Sequence, residues 1–183
     1  QIHSNKVYSL NTISKKKLKG DALITGKRKL ALGILTADCA PIFIFDPYKN
    51  IIAAIHAGWK GAYKKIIYKT INKFKKKGSH VKDLISVIGP CISKYSYEVK
   101  KDFLKKFLNQ NQKNIRFFIF KKNKIFFSLN DYIKNQLKEN GINRIEIINK
   151  DTYLKKNNFF SARRSLNKNN YDYGRNISII MIK

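Results

Sequence analysis

Two stretches of this chain, Leu30 to Tyr48 and Ile51 to Trp59, contain no lysine or arginine, although those residues fill 39 of its 183 positions. With a formal net charge of +28, segments cleared of cations are the ones expected inside the fold. They resolve into short apolar runs, Leu30 to Leu35, Pro41 to Phe45 and Ile51 to Ile55, the last two separated by Asp-Pro-Tyr-Lys-Asn turn chemistry. Three buried strands are predicted. Cys39 lies between the first two and His56 just after the third, where a rigid sheet can hold a ligand and leave one side open.

The chain has only three His and two Cys, and His3, Cys39 and His56 together offer two imidazoles and a thiolate. Structural zinc is closed by four protein ligands, whereas catalytic zinc keeps one position for water or substrate, so a three-donor set points to a catalytic metal. Separations of 36 and 17 residues match no compact metal motif. On spacing alone, Cys39 reads as a small buried hydrophobe and the His as hydrogen-bonded residues. Asp38, one of eleven acids, is placed to orient an imidazole, to act as a base on activated water, or to cap a turn. Arginine is scarce, six among the 39 basic residues, yet Arg163 and Arg164 are adjacent and Arg175 is near. With Lys60 they are the candidates for binding phosphate, a salt-bridged surface pair being the alternative.

Six ordered blocks resemble the laccase-domain (polyphenol oxidase-like, YfiH) family across almost the whole chain: Gln1-Ile-His-Ser, Gly20-Asp-Ala-Leu-Ile-Thr, Thr36-Ala-Asp-Cys-Ala-Pro, His56-Ala-Gly-Trp-Lys-Gly, Ile88-Gly-Pro-Cys-Ile with Tyr97-Glu-Val, and Phe160-Ser-Ala-Arg-Arg. The family's ligand pattern falls on His3, Cys39 and His56. The resemblance implies an α+β fold, two mixed β-sheets packed face to face with helices on the outside. It further implies a bacterial, cytoplasmic, zinc-dependent enzyme that phosphorolyses adenosine, inosine, guanosine and methylthioadenosine and deaminates adenosine. The partners implied are a purine nucleoside and phosphate, in a monomer or small homo-oligomer. In that setting Cys39, His56 and Asp38 are the expected catalytic residues. Copper of the multicopper-oxidase type is disfavoured by the small number of His.

Two other enzyme readings stand beside it: editing of peptidoglycan precursors, a role attributed to relatives, and a metal-free hydrolase with Cys39 as nucleophile and His56 as base, the pair used by the related cytotoxic necrotizing factor domain. The sequence departs from the family in Lys60 where Arg is frequent, in Asp151-Thr152 where Cys-Thr is usual, and in a lengthened segment from Ser165 to Tyr173. One catalytic domain is expected over residues 1–183. Because the chain opens at the Gln of the first block, an upstream segment is expected to be missing.

The high charge makes a nonspecific polyanion-binding protein the non-enzymatic alternative. The lysines, however, are spread in short runs, Lys15 to Lys17, Lys75 to Lys77, Lys100 with Lys101, Lys105 with Lys106 and Lys121 with Lys122. Together with many Asn and Ile they follow the codon bias of an AT-rich genome, so a solvated surface is expected and no specific nucleic-acid partner. No apolar run reaches membrane-spanning length and no signal-peptide pattern opens the chain. The remaining patterning predicts helices over Lys60 to Lys76, Tyr95 to Leu108 and Ser128 to Asn140, the last with a Ser128/Asp131 capping box and Gly141 beyond its end. Strands are predicted over Leu84 to Ile88, Arg144 to Ile148 and Asn176 to Ile182, with a hairpin of Ile115 to Phe120 and Lys124 to Phe127.

Overall fold

A computed structural model describes residues 1–13 and 17–183; the start of the Lys15 to Lys17 run lies outside the described residues. In chain order the strands are β1 (Val7–Ser9), β2 (Ala22–Thr25), β3 (Leu32–Thr36), β4 (Ala40–Asp46), β5 (Ile51–Ala57), β6 (Ile85–Ile88), β7 (Glu98–Val99), β8 (Phe118–Lys121), β9 (Lys124–Phe127), β10 (Arg144–Ile147) and β11 (Asn176–Ile180). The helices are α1 (Trp59–Tyr63), α2 (Ile66–Lys76), α3 (Lys101–Gln110), α4 (Leu129–Glu139) and α5 (Ala162–Leu166). The class is α+β.

Six strands form a mixed sheet in the order β1-β2-β5-β4-β6-β10, parallel at its two outer pairs and antiparallel between. Strand β5 is flanked on both edges and covered on both faces. All seven of its residues are buried, which explains why Ile51 to Ala57 is continuously apolar up to His56 and does not alternate. Alternation reappears in what each side chain touches. Ile51, Ala53, Ile55 and Ala57 of β5, with Ile42 and Ile44 of β4, join the core beneath α2 and α4. Ile52 and Ala54, with Phe43 and Phe45, face a second core made with Leu32 and Ile34 of β3 and with Ile180 and Ile182. This second layer is the antiparallel pair β3 and β11, packed across the large sheet.

Helix α2 buries Ile66, Ile67, Thr70, Ile71 and Phe74, as the 3.6-residue stripe requires. The helix expected over Lys60 to Lys76 is nevertheless divided, because Lys65 adopts a left-handed backbone with φ 62°. Two carbonyls at the break are satisfied from outside: Asn5 donates its side-chain amide to Lys64 (2.7 Å) and Gln136 to Ala62 (3.0 Å). The helix expected from Tyr95 begins later, at Lys101. Glu98 and Val99 pair instead with Phe126 and Ile125 of β9, and Tyr97 accepts from the Phe127 amide. Ile115 lies in a 3₁₀ turn ahead of β8, so the hairpin is shorter than its apolar run. The Ser128 N-cap of α4 is present, its hydroxyl accepting from the Asp131 amide and donating to the Asp131 carboxylate, and Gly141 has φ 95°; the expected box is not closed, because the Ser128 amide donates to the Phe117 carbonyl instead.

The space between α3, α4 and the small sheet β7-β9-β8 is filled by rings. Phe107, fully buried, stacks on Phe103 at 4.7 Å and tilts against Phe127 at 4.8 Å. Phe107→Ala is expected to cost about 3–5 kcal/mol of stability, read as a lower midpoint in urea denaturation with an unchanged slope.

Candidate metal centre

The strand register assembles the site. In the β4–β5 ladder, Ala40 faces Ala57 and Pro41 faces His56, so Cys39, one residue before β4, comes opposite Gly58. In the β2–β5 ladder, Ala22 faces Ile55, which brings Asp21 opposite His56; the His56 amide donates to the Asp21 carbonyl at 2.7 Å. Period-two alternation therefore places Asp21, Cys39 and His56 on the same face of the sheet as the second core, at its end. His3 reaches this point from the N-terminal segment.

Donor atoms of His3, Cys39 and His56 lie within 4.8 Å of one another, the one such cluster of three metal-ligating groups among the described residues. Cys39 Sγ is 3.8 Å from His3 Nε2, and the two imidazoles meet edge to face with centroids 4.8 Å apart. His56 is buried, Cys39 partly so, and His3 exposed. Two imidazole nitrogens and one sulfur, converging without a fourth protein donor, fit a borderline-soft divalent cation with an open position. Gly58 leaves the room: a Cβ there would come within 2.6 Å of Cys39 Sγ and 3.2 Å of His3 Cδ2.

The Asp21 carboxylate is buried in this cluster. Oδ1 accepts from His56 Nδ1 (2.8 Å) and from the amides of Ile2 and His3 (both 3.0 Å), while Oδ2 accepts from the Ser4 amide (2.6 Å) and hydroxyl (2.7 Å). Burial opposes its charge, but the bonds from His56 and Ser4 outweigh burial and hold its pKa far below the usual carboxylate range. For His3, partial desolvation where the ring meets the cluster and then the neighbouring His56 lower the pKa, favouring the neutral imidazole that a metal needs. For Cys39, burial first, then Asp38 and Asp21, push the thiol up to about 12.

Asp38, buried and with φ 82°, points to a different task from the cluster's donors. Its carboxylate accepts from Thr152 Oγ1 (2.7 Å), Ser161 Oγ (3.0 Å) and the Arg163 amide (2.7 Å), tying the start of α5 to the residue beside Cys39. A cavity of about 180 Å³ opens there, lined by Cys39, Trp59, Tyr97 and Arg163, and it adjoins another of about 560 Å³ that shares Trp59, Tyr97 and Arg163. Of the four cationic candidates, the structure brings Arg163 to these cavities, with its guanidinium over Tyr97 at 5.4 Å and Nη1 donating to the Glu98 carbonyl at 2.8 Å. Arg164 is committed to the carbonyls of Thr152, Tyr153 and Phe159. Arg175 donates to the Tyr173 carbonyl and sits over that ring, and Lys60 lies exposed beside Trp59. Asp21 is a functional residue that the sequence marks only faintly, as an acid at a strand start in a chain with eleven acids.

The profile of the family described as "Multi-copper polyphenol oxidoreductase laccase" matches residues 1–183. The chain belongs to this family. A Rickettsia conorii protein named purine nucleoside phosphorylase is 38% identical over 167 residues, 90% of this chain and 69% of its own length. A Clostridium acetobutylicum protein of the same name is 36% identical over 166 residues, again 90% of this chain and 69% of its own. Among solved structures, the Bacillus licheniformis protein YfiH superposes with TM-score 0.88 at 27% identity, over 100% of this chain and 72% of that one. A Neisseria meningitidis protein gives 0.87 at 27%, over 100% and 73%. The family description speaks of several coppers, whereas the donors here form a single three-ligand cluster among the described residues.

Burial and the neighbouring carboxylates hold the metal-free Cys39 thiol protonated at neutral pH, so it is a poor nucleophile. Iodoacetamide should label it slowly in chelator-treated protein, with a rate rising about tenfold per pH unit from 7 to 10. A pH-independent fast rate, measured by mass spectrometry, would favour the metal-free hydrolase. Gly58→Ala should lower the zinc retained after dialysis, assayed by plasma emission, while far-UV circular dichroism stays unchanged.

Proposed function

We propose that this chain is a zinc-dependent purine nucleoside phosphorylase acting on adenosine, inosine, guanosine and methylthioadenosine, and that it also deaminates adenosine. The observation that supports this reading is the placing of a three-donor cluster beside cavities lined by Trp59, Tyr97 and Arg163, in a chain whose relatives carry the phosphorylase name. Two imidazoles with one thiolate suit zinc, and three His are too few for multicopper chemistry. A cation held by His3, Cys39 and His56 supplies Lewis acidity at the edge of the cavity.

The rest falls to the side chains. Trp59 and Tyr97 offer flat faces against which a purine can stack, and together the two cavities have the volume that small ligands occupy. Arg163 keeps guanidinium N–H groups beyond its bond to Glu98, and these are the donors for phosphate. Glu98 and Tyr97 fix its stem and orientation, so the anion meets a pre-placed fork. In phosphorolysis a phosphate oxygen bonds to ribose C1′ as the C1′–N9 bond breaks; the electron pair leaves with the purine, which takes up a proton. Asp38 acts by holding the Arg163 backbone in place.

Incubation of the purified protein with inosine and phosphate should yield hypoxanthine and ribose 1-phosphate, and incubation with adenosine alone should yield inosine, both followed by liquid chromatography. Absence of both products from zinc-loaded protein overturns the reading. Arg163→Ala is expected to lower kcat/KM for phosphate about 10–100-fold, the worth of a charged hydrogen bond, while Arg175→Ala stays close to wild type.

A further inference from the structure

We propose that Asp21 is the positioning residue of the metal centre, one carboxylate that orients the His56 imidazole and fixes the backbone from which His3 projects; the proposal rests on the metal-binding reading of His3, Cys39 and His56. Its Oδ1 takes His56 Nδ1 at 2.8 Å together with the amides of Ile2 and His3. A carboxylate with nothing to donate accepts only from a protonated Nδ1, which in the neutral ring leaves Nε2 of His56 as the bare nitrogen. Its Oδ2 takes the amide and hydroxyl of Ser4, so three successive amides close around the carboxylate. His3 sits in this nest with φ 55°, a left-handed conformation that a non-glycine residue keeps only when its surroundings hold it there.

Five donors on two oxygens use up the lone pairs of a carboxylate, which has about four acceptor sites. Asp21 therefore has no capacity left to ligate a cation or to take a proton from water, and its part is exerted through the two His. Its charge matters as well. With the Cys39 thiolate it brings two negative charges to the cluster, matching a divalent cation in a site where a net charge would be costly. Because these bonds need no metal, the His56 ring and the His3 backbone are set before a cation arrives.

The test has two arms. In metal-free wild-type protein, long-range ¹⁵N–¹H correlation spectra should show His56 as the Nδ1–H tautomer, with that proton and the His3 amide protected from exchange; the Nε2–H tautomer would overturn the proposal. In the second arm, Asp21→Asn and Ser4→Ala are titrated with Zn²⁺ against a chromophoric chelator and with Co²⁺ by visible absorption. Asp21→Asn keeps an acceptor for His56 but turns a donor toward Ser4, and it should weaken Zn²⁺ binding about 10–100-fold and shift the Co²⁺ bands, with a smaller effect for Ser4→Ala. Binding by Asp21→Asn within twofold of wild type, with unchanged bands, would make the residue merely structural and sink the proposal. If wild-type protein binds neither ion, the metal reading itself falls, and the tautomer spectrum with the exchange of the His3 amide still decides whether Asp21 holds the His56 ring and the His3 backbone.

Discussion

The backbone ladder that locks β5 between β2 and β4 is the constraint on which the site depends. A slip of one residue on either side would turn Asp21 or Cys39 to the opposite face and dissolve the cluster, since side chains alternate with period two. The register is hard to shift because both faces of β5 are buried, so any slip would also exchange the contents of two hydrophobic cores. The cores thus hold the donors in place. A site built this way does not need its cation to fold, unlike small zinc modules whose structure is made by the metal.

Much of this is legible in the sequence, for identifiable reasons. The strands around Cys39 and His56 could be read because a lysine-rich chain marks its interior by excluding cations, and α4 because its cap residues sit at fixed offsets. His3 could be assigned only through the resemblance, since nothing in residues 1–9 alone says that the segment folds back on the sheet. Strands β1 and β2 escaped notice because each is three or four residues long and owes its form to pairing and not to pattern. The two helices that fell short did so where carbonyls or amides found partners far along the chain, Gln136 at Ala62 and β9 at Glu98, which local propensity cannot register.

Charge is distributed on the same logic. The described members of the lysine runs are exposed, while Asp21, Asp38 and Asp46 are buried and each accepts several hydrogen bonds. These three acids thus serve as buried fasteners for strand ends and loops, and the lysine runs as solvated skin. Arg163 and Arg164 depart from this pattern: Arg163 is held by the Glu98 carbonyl, and Arg164, tied to three carbonyls, does for the Thr152–Phe159 loop what the buried acids do elsewhere.

Asp38 and Cys39 share a peptide unit, and Asp38 grips the amide of Arg163 across 125 positions of sequence. The residue beside Cys39 is thereby pinned to the residue from which the cavity's arginine projects, so two segments remote in the chain meet at one seam in the cavity wall. A substitution that cut this one bond would be felt on both sides of the seam, at the start of β4 and at the start of α5.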